Sequence, residues 1–331
     1  MKRIVLLSLI LSTVLLFNVS AQGDQDTGAT EKYVLKLAHV LPTDHLNHKT
    51  ALKFGEMVKE RTNGQVEIEV YPASQLGNEK EITDAVAMGT LDFALCGFGE
   101  VAKRYSPALI FDGPFIFRDR EHQARVYKSE VFDELMDEME SVGIAMVSPG
   151  YYGTRHVTTT DTKVMTPVDL NGKKLRCPDQ PMFVGVTTVM GATPTPMAFA
   201  EVYLALQQGV ADGQENPAAA ITSMKFYEVQ NYLVKTGHII QGNHVFGSTK
   251  TLAKLPEDIR QVIDEVGAEV SEWAIQESFR IEDELLAGLA SKGMTIIEPD
   301  LDAFVAAAQP LYDEYESKWG EGLLEKIRTV K

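Results

Sequence analysis

Two arginines stand out in a chain that is otherwise acidic: Arg155, which closes the stretch "YYGTR", and Arg176, in "KKLRCPD" just before a proline. A guanidinium presents a planar fork of donors that meets a carboxylate with two parallel hydrogen bonds, a match that the point charge of lysine does not make. Each charge-assisted bond of this kind is worth roughly 1.5–3 kcal/mol net, so two arginines supply much of a micromolar affinity. A lone arginine more often pairs with a neighbouring Asp or Glu; two on adjacent strands bring the readings level. Further on, "DGQENP" (212–217) reads as a polar turn. There Asn216 offers a donor and an acceptor beside the arginines, or serves as N-cap of a helix begun by Pro217.

Catalytic chemistry is poorly represented. The chain holds no Gly-x-Ser-x-Gly elbow, His-Glu-x-x-His pair, phosphate loop or Cys-x-x-Cys, and nothing assembles nucleophile, base and orienter. The expectation is a protein that is not an enzyme, with no cofactor and no metal. "HLNH" places His45 and His48 three apart, but without a carboxylate at matching spacing a polar helix N-terminus is the better reading. His39, nearby at the end of the first strand, joins the candidate ligand contacts. Glu67 and Glu69 read as the solvated face of a strand.

The elements that position these residues alternate. "YVLKLAHV" (33–40) and "QVEIEVYP" (65–72) have strand character, with helical spacing over 51–61 between them. Helical spacing over 79–88 precedes another strand in "LDFALCG" (91–97), and this rhythm predicts parallel sheets flanked by helices. A second block runs through the strand "KKLRCPD", a helix over 182–190, "GATPTPMAF" and the helix "AEVYLALQQG". Strands return at 232–240 and 244–250. Apolar residues at three- and four-residue steps from Pro256 to about Leu289 predict a helix of about 50 Å, long enough to span two lobes. The final segment reads as two amphipathic helices split near Pro310.

At 331 residues with 44% apolar content the chain can build one large or two ordinary cores. A net charge of −16 excludes a basic nucleic-acid footprint, while a local arginine cluster can still hold an anion. Lys2 and Arg3, the apolar run 4–17 and the small residues before Gln22 form an export signal over 1–21, followed by a polar linker over 22–31. Cys96 and Cys177 lie in apolar strands and are expected to be unpaired and buried.

The block "GATPTPMAFAEVYLALQQGVADGQENP" (191–217), with "GTR", "DLNGKKLRCP" (169–178) and "YPASQLGNEKE" (71–81), resembles the solute-binding subunit of tripartite ATP-independent periplasmic (TRAP) transporters, the DctP family. The resemblance runs from about Tyr33 to the C-terminus. It implies a two-lobed α/β periplasmic binding fold, each lobe a mainly parallel sheet, with hinge strands and a long helix spanning both lobes. The implied lobes are 32–153 plus 242–281 and 154–241 plus 282–331. Arg176 then matches the family's main carboxylate-binding arginine, Arg155 a second arginine, and Asn216 the asparagine beside them. Phe199 closes the pocket wall; Asp179 and Gln180 tune the ligand's polar groups; Glu79 contributes from the first lobe. Glu215 or Glu201 is expected to orient Arg176. The implied setting is periplasmic, as a monomer delivering a small organic acid to the small and large TRAP membrane subunits.

Sialic-acid binders of that family carry a glutamate and an arginine where this chain has Gly97 and Glu100, which counts against sialic acid. Carboxylates at Glu79, Asp179 and Glu100 would repel a second ligand carboxylate, which counts against succinate-like ligands. A sugar acid such as a hexuronate, with one carboxylate and several hydroxyls, suits the set best. C4-dicarboxylate or sialic acid binding is the alternative, and a ligand sensor feeding a signalling receptor would use the same cleft.

Overall fold

The structure, a computed structural model, describes residues 31–331. The export signal read over 1–21 and nearly all of the polar linker lie outside the described residues. Strands are numbered in chain order: β1 Tyr33–His39, β2 Val66–Tyr71, β3 Phe93–Cys96, β4 Ile144–Ser148, β5 Tyr151–Thr159, β6 Lys174–Cys177, β7 Thr193–Pro196, β8 Gly213–Pro217, β9 Tyr232–Gly242, β10 His244–Ser248 and β11 Thr295–Ile297.

They form two sheets flanked by helices, ordered β2-β1-β3-β10-β4 and β11-β9-β5-β8-β6-β7. The local βαβ units give the parallel pairs: β1 lies parallel to β2 and β3, and β6 to β7 and β8. The antiparallel pairs all involve β5, β9 or β10, so both sheets are mixed. The reason is topological: the chain leaves the first sheet after β4, enters the second as β5, and returns from β9 to β10 across the single residue Asn243. β5 and β10 run against both of their neighbours, whereas β9 runs against β5 and lies parallel to β11. β5 is irregular, with register shifts at Tyr151/Gly153 and Arg155/Val157. Gly153 has φ +138° and lies so close to Pro217 that an added Cβ would stand 2.5 Å from the proline Cβ, so glycine is required there.

The long helix is Glu257–Ser291. Its Ile259, Ile263, Val266 and Val270 share a core with Leu35, Leu37, Phe54 and Phe93 of the first sheet's side. At its other end Leu289 joins Leu206, Ile221, Phe226 and Leu233 of the second. One rigid element therefore ties the two sheets together, as its apolar spacing predicts. Truncating Ile263 to Ala would cost about 2–5 kcal/mol.

Two readings need correction. "GQENP" is a fully buried strand, β8, and not a turn; Pro217 occupies the N-cap position of helix Ala218–Ser223, so Asn216 is a strand residue paired with His156. At the C-terminus, helix Leu301–Trp319 runs through Pro310, and the break falls at Gly320–Gly322 before helix Leu323–Thr329. The helix keeps a continuous buried face from Phe304 through Ala308, Leu311 and Tyr315 to Trp319. That packing outweighs the one hydrogen bond that proline removes. Cys96 and Cys177 are both free and buried, as expected.

Candidate functional site

A cavity lies between the two sheets, and a wider outer cleft shares Val40, Glu79, Arg176, Pro178, Gln180 and Phe199 with it. Its walls come from residues at or just past the carboxyl ends of β1, β3, β6 and β8: Val40 and Leu41, Gly97, Arg176 and Pro178, and Asn216. Strand ends in α/β sheets form such crevices because the chain turns away there and leaves backbone and side chains facing inward.

Six of the residues singled out in the sequence line the cavity: Arg155, Arg176, Asn216, Phe199, Gln180 and Glu79. Asp179 lines only the outer cleft, where its carbonyl accepts from Lys103 Nζ at 2.8 Å. His39 does not line either space. It is buried behind the wall, its Nδ1 accepting from the N–H of Leu41 and its Nε2 therefore donating to His48 Nδ1 at 3.0 Å. Burial, then the neighbouring His48, lowers the His39 pKa to about 4, so the ring is neutral. Among the described residues no group of three or more His, Cys, Asp or Glu is placed to hold a metal.

The two arginines flank β8, Arg155 opposite Pro217 on β5 and Arg176 opposite Gln214 on β6. Both are 2% exposed, yet their surroundings differ. Arg155 Nε and Nη2 donate to the Glu215 carboxylate at 2.5 and 2.7 Å, Nη2 also reaches the Glu215 carbonyl at 2.7 Å, and Nη1 donates to Gln241 Oε1 at 2.6 Å. Its guanidinium lies 4.9 Å from the Phe183 ring centroid. His238 Nε2 contacts the same carboxylate at 3.2 Å and must donate, because an ionised carboxylate only accepts. Burial by itself would raise the Glu215 carboxyl; Arg155 and the His238 bond overcome it and hold it at about 2.

Among the described residues Arg176 makes one hydrogen bond, Nη2 to the Met197 carbonyl at 2.7 Å, and its buried Nε has no partner. Neither Glu215 nor Glu201 pairs with it: Glu215 is committed to Arg155, and Glu201 lies in the outer cleft. Burial, followed by the mixed effects of Glu215 and Arg155, lowers its pKa to about 10. A buried cation in this state is costly unless an anion meets it.

The remaining wall is polar. Asn216 Nδ2 donates to Gln214 Oε1 at 2.6 Å, and Gln214 in turn donates to Thr158. Gln180 Nε2 donates across the cleft to Glu79 Oε2 at 3.1 Å. An added Cβ on Gly99 would stand 1.8 Å from Gln180 Oε1, so the bare glycine admits that side chain. Burial, then Glu100, raises the Glu79 pKa. Tyr152, Gln241 and Asn243 also line the cavity and escaped the sequence reading. The available signal was in "IIQGNHVF", where buried amides interrupt an apolar strand run.

A family model described as bacterial extracellular solute-binding protein, family 7 (DctP) matches residues 37–318. The chain belongs to that family. Among DctP relatives, the sialic acid-binding periplasmic protein SiaP of Vibrio cholerae serotype O1 is 31% identical over 96% of this chain and 98% of its own. The crystal structure of a TRAP periplasmic solute-binding protein from Roseobacter denitrificans with bound L-galactonate superposes with TM-score 0.83 at 32% identity, covering 90% of this chain and 98% of that one. One from Haemophilus influenzae with bound L-gulonate gives TM-score 0.87 at 29% identity, covering 91% and 100%. The protein is a DctP-family solute-binding protein of the TRAP type, with the two-lobed fold of these neighbours.

Proposed function

We propose that the protein captures a sugar acid such as a hexuronate in the periplasm, anchors its carboxylate on Arg176, and delivers it to the TRAP membrane subunits. One observation carries this reading: Arg176 is buried at the cavity wall without an acidic partner and with an unused Nε donor. A ligand carboxylate would supply the missing charge and acceptors. Asn216, Gln180, Glu79 and Gln241 offer donors and acceptors suited to several hydroxyls. L-Galactonate and L-gulonate in the two neighbours are acids of that type. Arg155, already paired, is assigned to shaping the wall.

The same reading divides the chain into lobe I, 32–153 plus 242–281, and lobe II, 154–241 plus 282–331, with the ligand favouring the closed arrangement by its differential contacts. It is tested by a thermal-shift screen of the chain from Gln22 onward against uronates, aldonates, sialic acids, C4-dicarboxylates and keto acids. A large shift with one sugar acid and none with succinate is expected; a shift confined to dicarboxylates would refute the sugar-acid assignment.

A further inference from the structure

Behind Gln241 lies a carboxylate that the capture reading does not use. Asp112 is 1% exposed, and among the described residues only one of its oxygens is engaged: Oδ1 accepts from Gln241 Nε2 at 3.2 Å, while Oδ2 has no partner. Among the described residues it makes no ion pair. The amide of Gln241 links it to the site, since Gln241 Oε1 accepts from Arg155 Nη1 and the side chain lines the cavity.

The charged groups around the cavity do not balance for an incoming anion. Arg155 and Arg176 stand against Glu215 and Asp112, which are buried, and Glu79, which is half-buried; Asp112 feels Arg155, Glu79 and Glu215, and Arg176 feels Glu215 and Glu79. With all three carboxylates ionised, a ligand carboxylate adds negative charge to a region already short of cations, where low polarity magnifies the repulsion. Glu215 is held ionised by Arg155 and His238. Among the described residues neither Asp112 nor Glu79 makes an ion pair, so the proton of either can come and go without breaking one; Asp112 is the more deeply buried and keeps an unpartnered oxygen.

The titratable or charged groups facing Asp112 are Arg155 from β5, Glu215 from β8, Glu79 from helix Glu79–Met88, Cys96 from β3 and Tyr127 at the end of helix Arg120–Val126. Among the described residues the Tyr127 hydroxyl and His244 Nε2 have no partner, and each lies 2.4 Å from where a Cβ on Gly242 would stand. His244 Nδ1 accepts from the N–H of Gly150, and burial keeps the ring neutral, its pKa lowered to about 3. Burial, only partly offset by Arg155, raises the Asp112 pKa to about 7.

We propose that Asp112 is a positioning residue that couples anion capture to proton uptake: one proton from solvent settles on its carboxyl as the ligand's carboxylate enters, so that no net charge is added to the buried region. This rests on the carboxylate-capture reading. A carboxyl protonated in the complex and ionised in the free protein makes affinity fall as pH rises, by at most about tenfold per pH unit.

The test titrates wild type, Asp112→Asn and Glu79→Gln with D-glucuronate, L-gulonate and acetate at several pH values between about 6 and 8.5, in buffers of different ionisation enthalpy. For wild type, weaker binding above neutrality and a buffer-dependent heat reporting uptake of a proton are expected, a readout that needs no variant to fold. Asp112→Asn should bind with little dependence on pH, and Glu79→Gln should keep the wild-type slope. An unchanged slope in Asp112→Asn, or loss of the slope only in Glu79→Gln, overturns the proposal. A ligand-free arm separates the two claims. The folded carboxyl lies above its unfolded value, so Asp112 favours the fold at low pH and that contribution is lost as pH rises from about 4 to about 7. The melting temperature of Asp112→Asn relative to wild type should therefore climb over that range and then level off. A flat difference overturns the proposal whatever binds, whereas a climbing difference with no response to any of the three acids counts against the capture reading instead.

Discussion

Arg155 and Arg176 are one strand apart, equally buried, and line the same cavity, yet only one is electrically complete. Arg155 meets a carboxylate with two donors, an amide with a third and an aromatic face with its plane. Arg176 meets one carbonyl. The difference shows that burial of a charge does not by itself mark a binding group; the decisive quantity is whether the fold has already supplied the counter-charge. Where it has, the residue belongs to the structure, and where it has not, the ligand finishes the job.

That contrast is broken most strongly at Arg155. Arg155→Ala leaves Glu215 as an uncompensated buried anion and is expected to destabilise the fold by about 3–5 kcal/mol, read by denaturant unfolding. Arg176→Ala should barely change stability but weaken acid binding by at least about a hundredfold, roughly 2.7 kcal/mol. A loss of stability at Arg176 comparable with that at Arg155 would erase the distinction. Acid titration sharpens it from the other side. The Glu215 carboxyl is depressed from 4.5 to about 2, so its pairing stabilises the protein fully above its unfolded value, and that stability drains away as pH falls from about 4.5 towards about 2. In Arg155→Ala this part of the acid-unfolding profile should flatten.

Smaller effects map the rest of the wall. Asn216→Ala removes the proposed ligand hydrogen bond and the relay to Gln214, and is expected to cost about tenfold in affinity, measured by calorimetry. Gly99→Ala should cost only a few-fold, because the new methyl pushes Gln180 away from Glu79 while leaving both arginines in place. If Gly99→Ala lost more than Arg176→Ala, the cross-cleft contact and not the arginine would dominate capture.

How much of this was legible in the sequence depended on how local each feature is. The strands β1, β2 and β3 and helix Glu79–Met88 follow from apolar spacing, and the reach of the long helix from its sustained period. Arg176 was readable because an arginine just before a proline, in a chain that is otherwise acidic, is unusual. Its isolation was not, since that depends on where the nearby carboxylates point: Glu215 or Glu201 was expected beside Arg176, and Glu215 lies on Arg155. β8 was misread because Asp, Gly, Asn and Pro favour turns locally; its burial between β5 and β6 is decided by tertiary pairing. Tyr152, Gln241 and Asn243 enter the site because the chain crosses between sheets at those points, which no periodicity encodes. His39 was read as a ligand contact from its place at the end of the first strand, but it lines neither space and accepts from the Leu41 N–H behind the wall.

The central claim is that Arg176 is the carboxylate anchor, and calorimetric titration of wild type and Arg176→Ala, side by side with the sugar acid giving the largest thermal shift, tests it most directly. The account predicts saturable binding to wild type and a loss of at least about a hundredfold in the variant at unchanged melting temperature. Retained affinity in a folded Arg176→Ala protein would contradict it.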